Sequence, residues 1–343
     1  MISLAGLARA QAKAGHEVFV LHTRRPDTPA EETLAELFPE PIRRSEISRD
    51  GRRASGFFAL TIGIFKALTQ LRPDAIHLHS SYAGVSGRLV AGVLGMISRT
   101  VYSPHGFAFL NSRSRRISGF ALLVEKLLNR LGGKLALVSN SEMTAARSTF
   151  DARRTYVLQN RVDISKLPKH RHRVDGRLRV GTVGRISHSK GPWKFAEVAR
   201  ELAYDASFVW IGDGPQTDKA NWLRDSGVEV SGWQTPENAI KLAAELDIYV
   251  STALWEGMPL AVMEAQALGI PCVVSNIVGN VDVVEHGITG YVCSDHQTIV
   301  MAIKRLVEDE VLRKFMGRAA AERAKIVFAH DSLSADSIEI YRA

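Results

Sequence analysis

At 343 residues the chain exceeds the usual size of one hydrophobic core, so two domains are expected. Hydrophobic residues make up 45%, yet no run of about 18 apolar residues occurs, which excludes a membrane-spanning helix, and no compact apolar block with a cleavage site marks a signal peptide. The net charge of +8 is modest, and basic stretches at 41–53 (Arg43, Arg44, Arg49, Arg52, Arg53), 111–116 and 166–179 lack the aromatics or finger spacing of a nucleic-acid module, so nucleic acid is not an expected partner. Two cysteines, Cys272 and Cys293, are too few for a disulfide framework; they read as buried thiols in a reducing cytoplasm.

Apolar strands and helices alternate along the chain. Residues 17–23 (EVFVLHT), 75–80 (AIHLHS), 100–103, 135–139 and 155–159 read as short buried strands, with helical spacing over 57–71 and 117–131. A basic, proline-containing stretch at 166–176 (KLPKHRHRVDG) reads as a linker. The rhythm resumes with strands at 178–183, 208–211, 228–231, 248–251 and 272–275, separated by helices such as 192–202 and 236–246. This pattern predicts two α/β domains with parallel, doubly wound sheets, over 1–168 and 176–327, facing one another across a cleft. Ligands are then expected at the carboxyl ends of the strands. The tail, 328–343, has helical spacing at Leu333, Ile338 and Tyr341 and is assigned to the first domain.

Residues 255–264 (WEGMPLAVME) carry the most chemistry. A strand ending in small polar residues runs into Glu256 and a Gly257–Met258–Pro259 turn. Strong helix formers follow, with Glu264 expected about two turns into the helix. The helix N-terminus between the two carboxylates offers free N–H groups from Gly257 to Ala261, including Leu260, which suit an anion. Hydroxyl-binding carboxylates on either side of a phosphate describe a nucleotide-sugar. Alone, the stretch also fits a plain cap at Glu256 and a solvated face at Glu264.

Three further stretches point the same way. In 183–191 (VGRISHSKG), a strand ends at Gly184, where backbone can approach a ligand. Arg185 and Lys190 follow, the two charges that a departing diphosphate needs. An ordinary basic loop would look the same. Residues 211–215 (IGDGP) place Gly212 and Gly214 in another strand-end turn, and 231–233 (SGW) puts Trp233 where a nucleobase could rest. His77 and His79 alternate with Ile76 and Leu78 on one strand and read as satisfied structural histidines, not metal ligands.

These residues resemble the retaining glycosyltransferases of family 4, with the GT-B fold. The pair Glu256–Glu264 matches the family's two-glutamate motif, and Gly184, Arg185, Lys190 and Gly191 match its Gly-Arg…Lys-Gly element. More loosely, GHEVFVLHT and DAIHLHSSYAGVSGRL…SPHGF are similar to members that build bacterial polysaccharides and lipid-linked oligosaccharides. The resemblance implies that Arg185 and Lys190 hold the donor diphosphate, that Glu264 binds ribose hydroxyls, and that Glu256, helped by amides at 257–260, binds the transferred sugar. His105 would lie near the reacting sugar, although a lone histidine is more often structural. It implies a nucleotide-sugar donor, UDP by preference, and a glycan or polyprenyl-diphosphate-linked acceptor. It further implies retention by a front-face reaction, with no metal and no cofactor.

Two departures stand out. The chain opens at MISLAGLARAQAKAGHEV, which matches the helix after the family's glycine-rich loop, so the first strand and that loop are expected to be missing, with apolar edges left open. In 160–163 (NRVD), Arg161 stands where the family commonly has glycine, so that turn is expected to differ. Arg113, Arg115 and Arg116 precede an apolar helix with Lys126 and Arg130, which suits the inner face of an anionic membrane as well as an ordinary packed helix. Two other readings fit the same architecture: a sugar-nucleotide epimerase, which the two-glutamate motif argues against, and an inactive transferase serving as a binding subunit.

Overall fold

The computed structural model describes all residues except 25–27, 48–52, 111–114, 148, 171–175 and 330–331, and the side chains of 53–55 and 115. Arg49, Arg52 and Arg113, the middle of the expected linker, and the side chains of Arg53 and Arg115 therefore lie outside the described residues. The chain divides into two units, Met1–Asn160 with Asp331–Ala343, and Arg161–His330.

The first unit runs α1 (Ile2–Lys13), β1 (Phe19–Thr23), α2 (Glu31–Leu37), β2 (Arg43–Ile47), α3 (Arg53–Leu71), β3 (Ile76–His79), α4 (Ser81–Val93), β4 (Thr100–Ser103), α5 (Arg115–Arg130), β5 (Lys134–Leu137), α6 (Asn140–Ala146) and β6 (Thr155–Val157). All described strand pairs are parallel, but they form two separate sheets, β1-β2 and β3-β4-β5-β6. Among the described residues β1 and β3 share no ladder. Two core clusters underlie the sheets, and Leu21 of β1 and Ile47 of β2 pack against the one under β3–β6. Val20 packs with Ala5, Ala8, Leu34 and Phe38, while Ile76, Leu78, Tyr102 and Leu137 pack with Leu60, Ile64 and Val90.

β2 is absent from the sequence reading. Its residues, RRSEI, look like a surface basic run, and they are: Arg43 and Arg44 pair with Glu17 and Glu31 on a strand that, among the described residues, is bonded only to β1. An edge strand with one covered side carries no apolar alternation to detect.

The second unit contains β7 (Arg179–Val183), α7 (Pro192–Glu201), β8 (Ser207–Ile211), α8 (Gln216–Trp222), β9 (Glu229–Val230), α9 (Pro236–Ala243), β10 (Ile248–Ser251), α10 (Leu260–Ala267), β11 (Cys272–Ser275), α11 (Asn280–Val283), β12 (Gly290–Cys293), α12 (His296–Glu308) and α13 (Glu310–Val327). Its six strands are parallel in the order β12-β11-β10-β7-β8-β9. From β7 the chain winds out to β9, then returns to place β10 on the other side of β7. The reversal opens a crevice at the carboxyl ends of β7 and β10. Val180, Ile248, Val250 and Val273 fill the sheet centre, which is why these strands read as unbroken apolar runs. Cys272 and Cys293 are buried here, their thiols pushed up to about 12 and about 11 by that burial.

The final helix, α14 (Leu333–Arg342), belongs to the first unit. Leu333 and Ile340 join Leu7, Val101 and Leu158 in one cluster, each burial contributing roughly 1.5–3 kcal/mol. Gln11 donates to Ser337 at 3.0 Å and to Tyr341 at 2.9 Å, fixing α14 on α1.

Candidate active site

Three loops converge at the carboxyl ends of β7, β8 and β10. Gly184 follows β7 with a φ of +145° and Gly212 follows β8 with +136°, both in the region that favours glycine. A Cβ on Gly212 would lie 2.2 Å from the Gly184 carbonyl oxygen, so the two strand ends can touch only without side chains. Trp210 Nε1 donates to that same oxygen at 2.7 Å, and the Gly212 amide donates to Ser231 Oγ at 3.0 Å. Gly214 sits against the Ile186 carbonyl, whose own amide donates to Asp213 at 2.8 Å. Gly212 and Gly214 therefore shape the floor under the Gly184 loop.

The β7 loop is stitched to the β10 loop. Leu254 N donates to Ser189 O at 2.8 Å, and Thr252 Oγ1 donates to the carbonyls of Lys190 and Gly191, both at 3.1 Å. These anchors bring Lys190 Nζ to 2.6 Å from Glu256 Oε1. Burial works against the Lys190 charge, but the Glu256 carboxylate outweighs it and holds the ammonium pKa above its ordinary value. Glu256 Oε1 is buried, with the Lys190 ammonium against it. Lys190 also lies over Gly184, where a Cβ would come within 3.3 Å of its Cε. Arg185, in the same loop, is exposed.

Gly257, Met258 and Pro259 are buried, and Leu260 begins α10 half-buried. Among the described residues no side chain caps this N-terminus, a helix end whose first-turn amides lack intrahelical partners and suit a ligand or water. Gly279, with φ +87°, packs so closely that a Cβ would lie 2.5 Å from the Gly257 carbonyl. Glu264 is the fifth residue of α10, just over one turn in rather than two, because the helix starts at Leu260. It is half-buried, pairs with no group among the described residues, and burial pushes its pKa up to about 7. Trp233 lies 59% exposed, just beyond the edge strand β9.

The sequence reading missed an aromatic group beside this loop. His188 lies 4.9 Å from Trp193 and 5.8 Å from Trp255, and Trp193 lies 5.7 Å from Trp222 (centroid distances). Tryptophans flanking the motif at 193 and 255 were the available signal. Thr252, a small polar residue at a strand end, gave none.

In the first unit, His105 adopts φ +55°, unusual for a side chain of its size. The turn is held from below by Glu142, whose carboxylate accepts from Gly106 N at 2.9 Å and Val138 N at 3.0 Å. His105 Nε2 meets His79 Nδ1 at 2.8 Å. Burial, with a smaller contribution from the terminal amine, lowers the His105 pKa to about 4, so its ring is neutral. His77 is satisfied by Tyr341 and Ser103, both at 2.8 Å. His79 is not: its Nε2 is buried without a partner, which corrects the expectation that both are satisfied. Arg161 is not among the residues at positive φ, and it donates to Val327 O at 2.6 Å.

Comparison with known proteins decides the family. The model for glycosyltransferase family 4 matches residues 2–166, and that for glycosyl transferases group 1 matches 163–323. A UDP-Gal:alpha-D-GlcNAc-diphosphoundecaprenol alpha-1,3-galactosyltransferase of Escherichia coli is 30% identical over 276 residues, 73% of this chain and 70% of that protein. The chain belongs to the family 4, group 1 glycosyltransferases. It is therefore a glycosyltransferase enzyme, and its two Rossmann-like units are those of the GT-B fold. Among solved structures, sucrose-phosphate synthase from Thermosynechococcus elongatus superposes with a TM-score of 0.82 at 18% identity, covering 98% of this chain and 91% of that one. Anabaena HepE in complex with UDP and glucose superposes with a TM-score of 0.72 at 17% identity, covering 94% and 99%.

Proposed function

We propose that this glycosyltransferase moves a sugar from a UDP-sugar, with retention of configuration, to a polyprenyl-diphosphate-linked glycan in cell-surface polysaccharide assembly. The observation that carries the reading is the Lys190–Glu256 ion pair at the strand reversal, with an unpaired Glu264 one turn into the adjoining helix. The similarity to the Escherichia coli galactosyltransferase, whose name specifies UDP-Gal and a diphosphoundecaprenol acceptor, supports the donor and acceptor classes.

Lys190 and Arg185 compensate the diphosphate as its bond to the anomeric carbon breaks, without a metal. Glu264 accepts from ribose hydroxyls. Glu256 binds hydroxyls of the transferred sugar. Its charge is already committed to Lys190, which suits a hydroxyl acceptor better than a nucleophile. The acceptor oxygen then bonds to the anomeric carbon on the face the diphosphate leaves, and a phosphate oxygen takes the acceptor proton. His105, neutral and held by His79, donates to or accepts from a sugar hydroxyl without adding charge. The catalytic contribution is positioning and charge stabilisation. No helix among the described residues is long and apolar enough to cross a membrane; the reading assigns access to a lipid-linked acceptor on the cytoplasmic side to peripheral contact.

The test is a reaction of a UDP-hexose with a polyprenyl-diphosphate-linked sugar, with and without EDTA. The reading expects an α-linked product from an α-linked donor, at the same rate in chelator. An inverted linkage, or loss of activity on chelation, contradicts it.

A further inference from the structure

Half of the large hydrophobic side chains exposed among the described residues lie on three helices of the first unit, α3, α4 and α5. The helices form one layer. α3 packs on α4, and α4 on α5. Near their ends, a Cβ at Gly92 of α4 would lie 4.0 Å from Leu131 at the end of α5. Their inner faces are ordinary core: Leu60, Ile64 and Leu68 of α3, Val90 and Ala91 of α4, and Leu128 of α5 are buried. The outer faces are apolar as well. Phe58 and Ile62 recur at helical spacing on α3, Val93 ends the stripe of α4 at 82% exposure, and Phe120, Leu123 and Leu127 line α5, Phe120 at 69%. A surface helix normally turns polar residues outward.

The charge pattern identifies what covers this surface. The three helices contain one carboxylate, Glu125, and it faces inward. Arg88 Nη2 donates to Glu125 at 2.6 Å and Tyr102 OH donates to its other oxygen at 2.9 Å, all three groups buried. The outer face has no described carboxylate, while Lys66, Arg116, Lys126 and Arg130 are exposed. On α5, at 100° per residue, Arg116 falls within the stripe of Phe120, Leu123 and Leu127, and Arg130 and Lys126 lie along one edge of it. A second copy of this chain would bring cations against cations. An anionic bilayer offers apolar depth for the rings and negative headgroups for the flanking charges.

We propose that the outer face of the α3–α4–α5 layer is a docking surface for an anionic lipid bilayer, with Phe58, Val93 and Phe120 at the headgroup boundary. The surface stands on exposure and charge. It rests on the lipid-linked acceptor reading only for its purpose.

The test is co-sedimentation with vesicles of phosphatidylcholine, with or without phosphatidylglycerol, in low and high salt. The full chain is expected to bind only vesicles containing phosphatidylglycerol and to be released by salt. Arg116→Glu/Lys126→Glu/Arg130→Glu is expected to weaken partitioning by at least about fivefold per cation. Phe120→Ser/Leu127→Ser and Phe58→Ser/Val93→Ser are each expected to lose binding while the circular dichroism spectrum is kept. No donor or acceptor is needed, so the result is independent of the transferase reading. Equal binding by wild type and all variants, no binding by wild type, or a wild-type dimer in solution that the apolar variants abolish would overturn the proposal.

Discussion

Lys190 Nζ lies 2.6 Å from Glu256 Oε1. The cation proposed for the donor diphosphate and the carboxylate proposed for the transferred sugar thus hold one another before any ligand arrives. The Glu256 carboxylate holds the half-buried Lys190 ammonium charged against its burial, and the pair spans the two strands between which the sheet order reverses. Removing Lys190 takes charge from the leaving group and leaves Glu256 unpaired. We expect Lys190→Ala to lower turnover by about 10²-fold or more. In a Lys190→Ala/Glu256→Gln cycle the losses should fall short of additive, because the two groups act as a unit. Strictly additive losses in initial rate would show that the pair is not coupled.

Glu264 gives the site a pH signature. Burial lifts its pKa from 4.5 to about 7, so the folded protein holds a proton that the unfolded chain releases. Stability from this group is therefore greatest below about pH 4.5 and falls as pH rises towards about 7. Glu264→Gln removes that slope. Urea midpoints for wild type and variant should diverge between about pH 5 and pH 8, with wild type losing more at the higher value. The same variant should lose roughly tenfold or more in donor affinity, the scale of a hydrogen bond to a charged group. Parallel pH profiles would place Glu264 in water.

The His79–His105 pair makes an opposite statement. His105 titrates near 4 in the folded chain and near 6.5 when unfolded. The unfolded chain binds the extra proton first, so this group's contribution to stability is full above about pH 6.5 and is lost as pH falls towards about 4. The His105 ring signals in NMR should stay constant from about pH 8 to pH 5. A midpoint near 6.5 would mean an exposed, unpaired ring.

Backbone contact at the site floor can be tested without touching chemistry. Gly212→Ala would drive a Cβ to 2.2 Å from the Gly184 oxygen at a φ of +136°. We expect a loss of at least about 2 kcal/mol in unfolding free energy together with donor binding. Gly227→Ala, also at positive φ but with nothing within 4 Å, is the control and should cost about 1 kcal/mol with donor binding kept.

How much of this was readable in the sequence follows from how each signal is made. The central strands of the second unit, such as β10 and β11, are buried on both faces and announce themselves as apolar runs. The edge strand β2 is charged, and β12, GYVC, is too short and mixed to register. The glutamates and the Gly184–Lys190 loop were visible because their residue types and spacing are chemical requirements. That Lys190 and Glu256 touch was not visible, because it depends on Thr252 and Leu254 tying one loop to the other across strands distant in sequence. The His79–His105 contact was hidden for the same reason: parallel strands β3 and β4 bring together residues 26 apart.

The central claim is a nucleotide-sugar site built on Lys190, Glu256 and Glu264, and calorimetry on a panel of UDP-, GDP- and ADP-sugars, with release of free nucleotide followed alongside, tests it most directly. The account predicts that UDP-sugars bind selectively, that nucleotide is released slowly without acceptor, and that Glu264→Ala abolishes both. Absence of binding to every donor, or binding that survives in Glu264→Ala, would contradict it.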